Sequence, residues 1–140
     1  MVSSSELIVS VSGVRGIIGS SLTPQIATSF AAAFGSYMPG AKILISNDGR
    51  SSSGLMRHAV LAGLISTGAE AIDLGVLPTP TCGVAVRALQ ASGAIQITAS
   101  HNPAEWNGLK MFGPDGRVLP SAQGAQVKQI FESGSFHYVG

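Results

Sequence analysis

Charge is scarce in this sequence: Asp, Glu, Lys and Arg make up 11% of the 140 residues, and the formal net charge is +1. The eight Lys and Arg are scattered rather than clustered. The basic stripe that a nucleic-acid backbone requires is therefore missing, and no nucleic-acid partner is expected. Cysteine is nearly absent. A lone Cys82 excludes an internal disulfide framework and offers no metal-ligand spacing, so it reads as a small buried hydrophobe. No apolar run reaches the ~18 residues that a membrane span needs, and no basic region followed by an apolar stretch marks the N-terminus as a signal peptide. No membrane association is expected, and the cytoplasm is the expected location. What is abundant is apolar surface, at 45% of residues, which excludes disorder. A chain of this length builds one core. Its sparsely charged exterior suggests that part of the surface faces other domains of a longer chain.

Strands alternate with Gly-rich connections and helices. Leu7 to Val11 is a short β-rich run that ends at Ser12-Gly13-Val14-Arg15-Gly16. Thr23-Pro24 starts a helix, with Thr as N-cap and Pro in the first helical position. Ile26, Phe30 and Phe34 form its apolar face, and Pro39-Gly40 stops it. Lys42 to Ser46 is a continuous apolar strand of the kind buried on both faces. Ser51, Ser52 and Ser53 offer N-caps for a second helix with an inner stripe of Leu55, Met56, Ala59, Val60, Gly63 and Leu64. Ala69 to Leu74 is a third strand, and Pro78-Thr79-Pro80-Thr81 turns the chain into a short helix through Val84 and Leu89. Gly93 to Thr98 is a fourth strand. A last helix is predicted from Ser121 to Phe131. This rhythm predicts an α/β fold: a mostly parallel, mixed sheet of about four strands sandwiched between helices. The domain is expected to span residues 1–134, with 135–140 beginning a linker to a second domain.

In open α/β sheets ligands bind beyond the carboxyl ends of the strands. The loops there are Ser12 to Gly19, Asn47 to Ser53, Val76 to Thr81 and Ala99 to Gly113. The last carries the most chemistry. The strand ending at Thr98 ejects Ser100-His101-Asn102-Pro103, and Pro103 stiffens the loop. Asn107-Gly108 reads as a tight turn returning the chain through Leu109-Lys110-Met111-Phe112. A hydroxyl, an imidazole, an amide and an ammonium thus come from one segment. Phosphoryl transfer asks chiefly for positioning and positive charge, and Lys110 and Arg15 are the candidates for that charge. Glycines beside Arg15 would admit an anion close to the backbone. Taken singly, each feature has a plainer reading: the Ser-His pair as a capped turn, Gly13 to Gly16 as a β-turn, Asp48-Gly49-Arg50 as an Asx-type turn. A serine hydrolase fits poorly, since the Gly-x-Ser-x-Gly elbow is missing.

Together the segments resemble one family, the α-D-phosphohexomutases, which includes phosphoglucomutases, phosphomannomutases and phosphoglucosamine mutases. Ser12-Gly13-Val14-Arg15-Gly16 resembles the family's N-terminal Gly-Ile-Arg-Gly segment. Asp48-Gly49-Arg50-Ser51-Ser52 is similar to its Asp-x-Arg-x-Ser stretch, and Gly75-Val76-Leu77-Pro78-Thr79-Pro80 to its Gly-x-x-x-Thr-Pro loop. Thr98 to Pro103 and Asn107-Gly108-Leu109-Lys110 are similar to the active-site serine loop and the segment after it. The departures are local: Ser53 where Gly is common, Asn47 where a basic residue often stands, and Val9-Ser10-Val11 in place of Phe-Gly-Thr.

The resemblance implies an N-terminal domain I that interconverts hexose 1-phosphate and hexose 6-phosphate as part of a longer chain. Ser100 would carry the phosphate and pass it to the sugar, giving a bisphosphate. Lys110 would act as general acid/base or charge partner. Arg15 and His101 would hold the phosphoserine or the reacting hydroxyl, with Asn102 shaping the loop or contacting phosphate. Mg²⁺ would bind one oxygen of the Ser100 phosphate and take its other ligands from a second domain. Hexose 1,6-bisphosphate would serve as activator. The expected partners are a phosphorylated hexose and the remaining domains of the same chain, so these 140 residues alone are expected to be inactive. A non-catalytic phosphosugar-binding or regulatory module of the same fold is the alternative; intact Ser100 and Lys110 favour the enzyme.

Overall fold

A computed structural model describes residues 6–140 of the chain, so the first five residues of the expected domain lie outside the description. The order of elements is β1 (Ile8–Ser10), β2 (Gly13–Ile17), α1 (Pro24–Tyr37), β3 (Lys42–Asn47), α2 (Ser53–Ser66), β4 (Glu70–Val76), α3 (Thr79–Ala88), β5 (Gly93–Ile97), β6 (Trp106–Phe112) and α4 (Ser121–Ser133). The α/β expectation holds. Local chemistry explains much of it. Thr23 caps α1 by accepting the Ile26 N–H at 3.3 Å, and Gly134 ends α4 in the left-handed conformation at φ 68°.

All six strands form one sheet in the order β1-β2-β6-β5-β3-β4. β3 pairs in parallel with β4 and β5. β5–β6, β6–β2 and β2–β1 are antiparallel. The sheet is therefore larger and more evenly mixed than the four strands expected. The extra strands are β2 and β6, whose sequences carry turn signals. Asn107-Gly108 is not a turn; it lies inside β6, where the buried Asn107 accepts its neighbour's N–H through Oδ1 and donates from Nδ2 to Ser52 Oγ at 2.9 Å. Gly13 sits in β2 at φ 151°, and a Cβ there would collide with the Leu109 carbonyl of β6. Close strand approach, rather than access for an anion, is what requires a glycine at this point.

One face of the sheet is covered by α1, α2 and α4. Phe30 and Phe34 of α1, Met56 and Leu64 of α2 and Val127 of α4 pack with Ile43, Ile45, Ile95, Ile97 and Met111 in one core. Phe30 meets Phe131 edge to face, with ring centroids 5.5 Å apart. The other face is covered by α3 alone, through Cys82 and Val86 against Leu44, Ala94 and Phe112. Two details of α2 differ from expectation. Leu55 is 48% exposed, because it stands one position off the Met56, Val60 and Leu64 stripe. The N-cap Ser52 makes no side-chain capping bond; its hydroxyl is the acceptor for Asn107. Past α4, the His137 N–H donates to Ser36 Oγ at 2.8 Å and the Val139 N–H donates to the Ser66 carbonyl at 2.9 Å. Residues 135–140 thus lie across the ends of α1 and α2.

A Gly13→Ala change is expected to cost about 1–3 kcal/mol through backbone strain alone, with the collision adding to it. In contrast, Gly54→Ala, with nothing within 4 Å of the new methyl, should be neutral or stabilising by up to ~1 kcal/mol. Urea unfolding of the two variants checks the contrast; equal midpoints would contradict the β2–β6 packing.

Candidate active site

Strand β5 runs buried from Gly93 to Ile97, and burial continues through Thr98 and Ala99 before Ser100 emerges exposed. Ser100 is at φ 54°, in the left-handed region that a non-glycine residue enters only when its surroundings impose it. Those surroundings are specific. Thr98 Oγ1 accepts the Ser100 N–H at 3.1 Å and donates to Asp48 Oδ2 at 2.8 Å. The Asn102 N–H closes a turn on the Ala99 carbonyl at 3.0 Å.

Asp48 follows β3 and uses both carboxylate oxygens. Oδ1 accepts the Arg50 N–H at 3.1 Å, which is the Asx-type turn expected, and also the Ser53 hydroxyl at 3.2 Å. Oδ2 takes Thr98 and, at 3.2 Å, Arg50 Nε. The Arg50 guanidinium then reaches across to the serine loop. Nη1 donates to the carbonyls of Pro103 at 2.7 Å and Trp106 at 3.0 Å. Nη2 donates to those of Ser100 at 3.0 Å and Asn102 at 2.9 Å.

The predicted cations come from the sheet rather than from loops. Arg15 lies in β2 opposite Gly108, and Lys110 lies in β6 opposite Gly13 on one side and Gln96 on the other. Residues directly opposite in an antiparallel pair share a face. The register therefore puts Arg15 and Lys110 on the face that α3 covers only over the β3–β5 half. Each cation has a glycine as its β2–β6 partner, so no cross-strand side chain fills the space between those strands. The result is a cleft of about 270 Å³, lined by Arg15, Lys110, Ser10, Ser12 and Thr98 among others, none of them acidic. Arg15 Nη1 donates to Asn102 Oδ1 at 3.0 Å, which ties the cleft wall to the serine loop. Lys110 makes no side-chain hydrogen bond or ion pair among the described residues. His101 is exposed beside Ser100, and its ring likewise has no hydrogen-bond partner among them.

Two cations without a carboxylate favour an anionic ligand. A divalent cation is a different matter. The described residues contain no group of three or more His, Cys, Asp or Glu able to hold one, and Asp48 has both oxygens committed. These residues alone do not fit a Mg²⁺ site. Cys82 is buried away from the cleft; burial pushes its thiol pKa up, against a smaller lowering by the Ser46 hydroxyl, which leaves it unreactive. The loop around Pro78-Thr79-Pro80 does not line the cleft. It is fixed from behind, with Gln96 Nε2 donating to the Leu77 carbonyl at 2.9 Å.

Sequence reasoning named Ser100, His101, Asn102, Lys110 and Arg15, and the fold gathers them at the carboxyl edge of β5 and on adjoining β2 and β6. It missed Thr98 and Arg50 as supports of the loop. Thr98→Val would leave the Ser100 N–H without its acceptor and Asp48 without one of its donors. The expected cost is about 1–3 kcal/mol, read as a fall in the urea midpoint of unfolding. An unchanged midpoint would mean that the Thr98 hydroxyl contributes nothing to holding the loop.

Comparison with known proteins bears directly on these residues. Residues 6–138 match the family model described as "Phosphoglucomutase/phosphomannomutase, alpha/beta/alpha domain I". The chain is 39% identical over 128 residues to the "Probable phosphoglucosamine mutase" of Thermococcus gammatolerans, a match covering 91% of this chain and 28% of the relative. It is 42% identical over 125 residues to the phosphoglucosamine mutase of Oceanobacillus iheyensis, covering 86% of this chain and 28% of that protein. Among solved structures, a phosphoglucomutase/phosphomannomutase family protein from Burkholderia thailandensis superposes with a TM-score of 0.81 at 29% identity, over 99% of this chain and 32% of that one. The chain thus spans under a third of the length of the curated relatives it matches.

Proposed function

The chain belongs to the phosphoglucomutase/phosphomannomutase family as its α/β/α domain I, and from that premise we propose that it supplies the phosphoserine of a phosphohexomutase, with Ser100 as the phosphoryl carrier. One observation carries this reading. An exposed serine, held at φ 54°, belongs to the loop that Asn102 ties to Arg15, and Arg15 lines a cleft with a second cation, Lys110, and no carboxylate. Such a site suits a phosphate before and after its transfer, because the reaction asks for fixed geometry and compensating charge more than for covalent help.

In the proposed cycle the sugar's free hydroxyl attacks the phosphorus on Ser100. The new P–O bond forms as the bond to Oγ breaks, and the hydroxyl proton passes to a base. Lys110 is assigned either as the acid/base group, taking that proton as the neutral amine and returning one to the Ser100 oxygen, or, as the ammonium, as the charge partner of the transferring oxygens. Arg15, oriented by Asn102, holds the phosphate through the donors that Asn102 leaves free. His101 is assigned to help hold the phosphate or the reacting sugar hydroxyl from the loop. The bisphosphate then reorients and returns its other phosphate to Ser100, restoring the carrier. Mg²⁺, when bound, would neutralise charge on the phosphoryl oxygens. From this chain only the Ser100 phosphate would contribute to it, with the other ligands coming from beyond the described residues.

The sugar pocket is likewise assigned to the further domains, with residues 1–134 as the phosphoserine domain and 135–140 leading towards them. The names of the relatives make glucosamine phosphate the first substrate to try, ahead of the glucose and mannose phosphates, with the hexose 1,6-bisphosphate as activator and the cytoplasm as the setting.

The test is a coupled mutase assay on the full-length protein with Mg²⁺, run with wild type and Ser100→Ala on the three sugar 1-phosphates. Wild type should turn over at least one of them. Ser100→Ala should be inactive and should take up no label from a ³²P-labelled hexose bisphosphate. The 140-residue chain alone should show no turnover. Full activity in Ser100→Ala would overturn the phosphoserine assignment, and inactivity of wild type on every sugar would favour a phosphosugar-binding module.

A further inference from the structure

We propose that Arg50 is the positioning residue for the phosphoryl carrier, and that its guanidinium acts on Ser100 only through the backbone of the serine loop. The inference rests on Ser100 being that carrier. A guanidinium has five N–H donors in a fixed planar fork. Here all of them are used, by Asp48 Oδ2 and by the carbonyls of Ser100, Asn102, Pro103 and Trp106. No donor remains for a ligand, so Arg50 cannot be a phosphate-binding arginine in this arrangement. It differs in this from Arg15, whose only side-chain hydrogen bond among the described residues goes to Asn102.

The four carbonyls belong to both limbs of the loop. Ser100 and Asn102 lie on the outgoing limb, while Trp106 begins the returning strand β6. One planar group thus fixes the loop at both ends and in the middle. Ser100 needs such a restraint, because its left-handed φ persists only where neighbours over-determine it. A second consequence is electrostatic. The carbonyl dipoles of Ser100 and Asn102 are committed to a cation, so they do not oppose a phosphate on the serine hydroxyl. Lysine cannot substitute: three donors on a single atom cannot serve five acceptors spread across a fork.

The experiment uses the full-length protein with wild type, Arg50→Lys, Asp48→Asn and Ser100→Ala, measuring kcat and KM for the sugar 1-phosphate that wild type turns over. Arg50→Lys should lower kcat by about 100-fold, since small misplacement of a reacting group is that costly. Its KM should stay within a factor of about three, because no contact to substrate is removed. Asp48→Asn leaves one acceptor oxygen for the four donors that the two carboxylate oxygens serve, which loosens the hold on Arg50 and should lower kcat about tenfold, again with KM little changed. It also carries the test if Arg50→Lys does not fold. A folded Arg50→Lys or Asp48→Asn with kcat within about twofold of wild type would overturn the proposal. So would a large rise in KM at unchanged kcat, which would make Arg50 a ligand-binding group. Ser100→Ala separates the two levels. If it is dead while Arg50→Lys is fully active, only the role of Arg50 fails. If it is fully active, the carrier assignment fails and the role of Arg50 with it.

Discussion

A loop at the edge of a sheet has backbone carbonyls that no ladder can satisfy, and each must find a partner or face water. In this domain one guanidinium serves four of them in the single loop that bears Ser100. The loop is then fixed through its backbone while Ser100 stays exposed, which is what an exposed but immobile hydroxyl requires. The Arg50–Asp48 ion pair is itself partly screened, with side chains 14% and 27% exposed, and such pairs contribute little by charge alone. Its importance lies in direction. Asp48 holds Arg50 by Nε, accepts the Arg50 backbone N–H, and reaches Ser100 through Thr98. The carboxyl ends of β3 and β5 are thereby locked to each other.

The same economy governs the sheet. Strand β6 lies between β5 and β2 and is antiparallel to both, so the chain leaving the serine loop returns at once beside the strand that launched it. That return places Lys110 within the sheet, next to β5. Strand β2, the other neighbour of β6, adds Arg15 from the other side, and Gly13 and Gly108 stand opposite the two cations. With α3 covering only the β3–β5 half of this face, the charged cleft is the part of the sheet surface that no helix closes. Its position follows from the topology and its polarity from the register.

How far all this could be read from the sequence depended on the range of the interactions concerned. The α1 cap at Thr23 and the strand Lys42 to Ser46 were legible because their causes are local: a hydroxyl three residues from an N–H, and a run of residues buried on both faces. Strands β2 and β6 were not. Gly13, Gly16 and Asn107-Gly108 are turn signals when judged from neighbours, and only the opposing strand reveals that Gly13 and Gly108 make room for its backbone. Ser100, Lys110 and Arg15 were named from chemistry and family likeness. Arg50 was read as part of an Asx turn, which it is, but its four carbonyl partners lie 50 to 56 residues away. Carbonyls are common to every residue type and leave no trace in a sequence. The serine run before α2 misled for a related reason, since Ser52 and Ser53 spend their hydroxyls on Asn107 and Asp48 rather than on the helix end.

Arg15 and Arg50 show how the fold separates two roles for one kind of side chain. Both touch the serine loop, and Asn102 touches both: its side-chain oxygen accepts from Arg15 and its carbonyl accepts from Arg50. Arg50 has a carboxylate beside it and an acceptor for every N–H, so its charge is answered within the protein. Arg15 has no carboxylate partner among the described residues and a cleft without acids in front of it, so its charge is available to an incoming anion. The distinction arises from acceptor supply alone, because the two guanidinium groups are chemically identical. On the proposed reading, a phosphate at Ser100 would therefore meet the unanswered arginine and not the saturated one. The residue that lends it charge and the residue that fixes the geometry can then be altered separately.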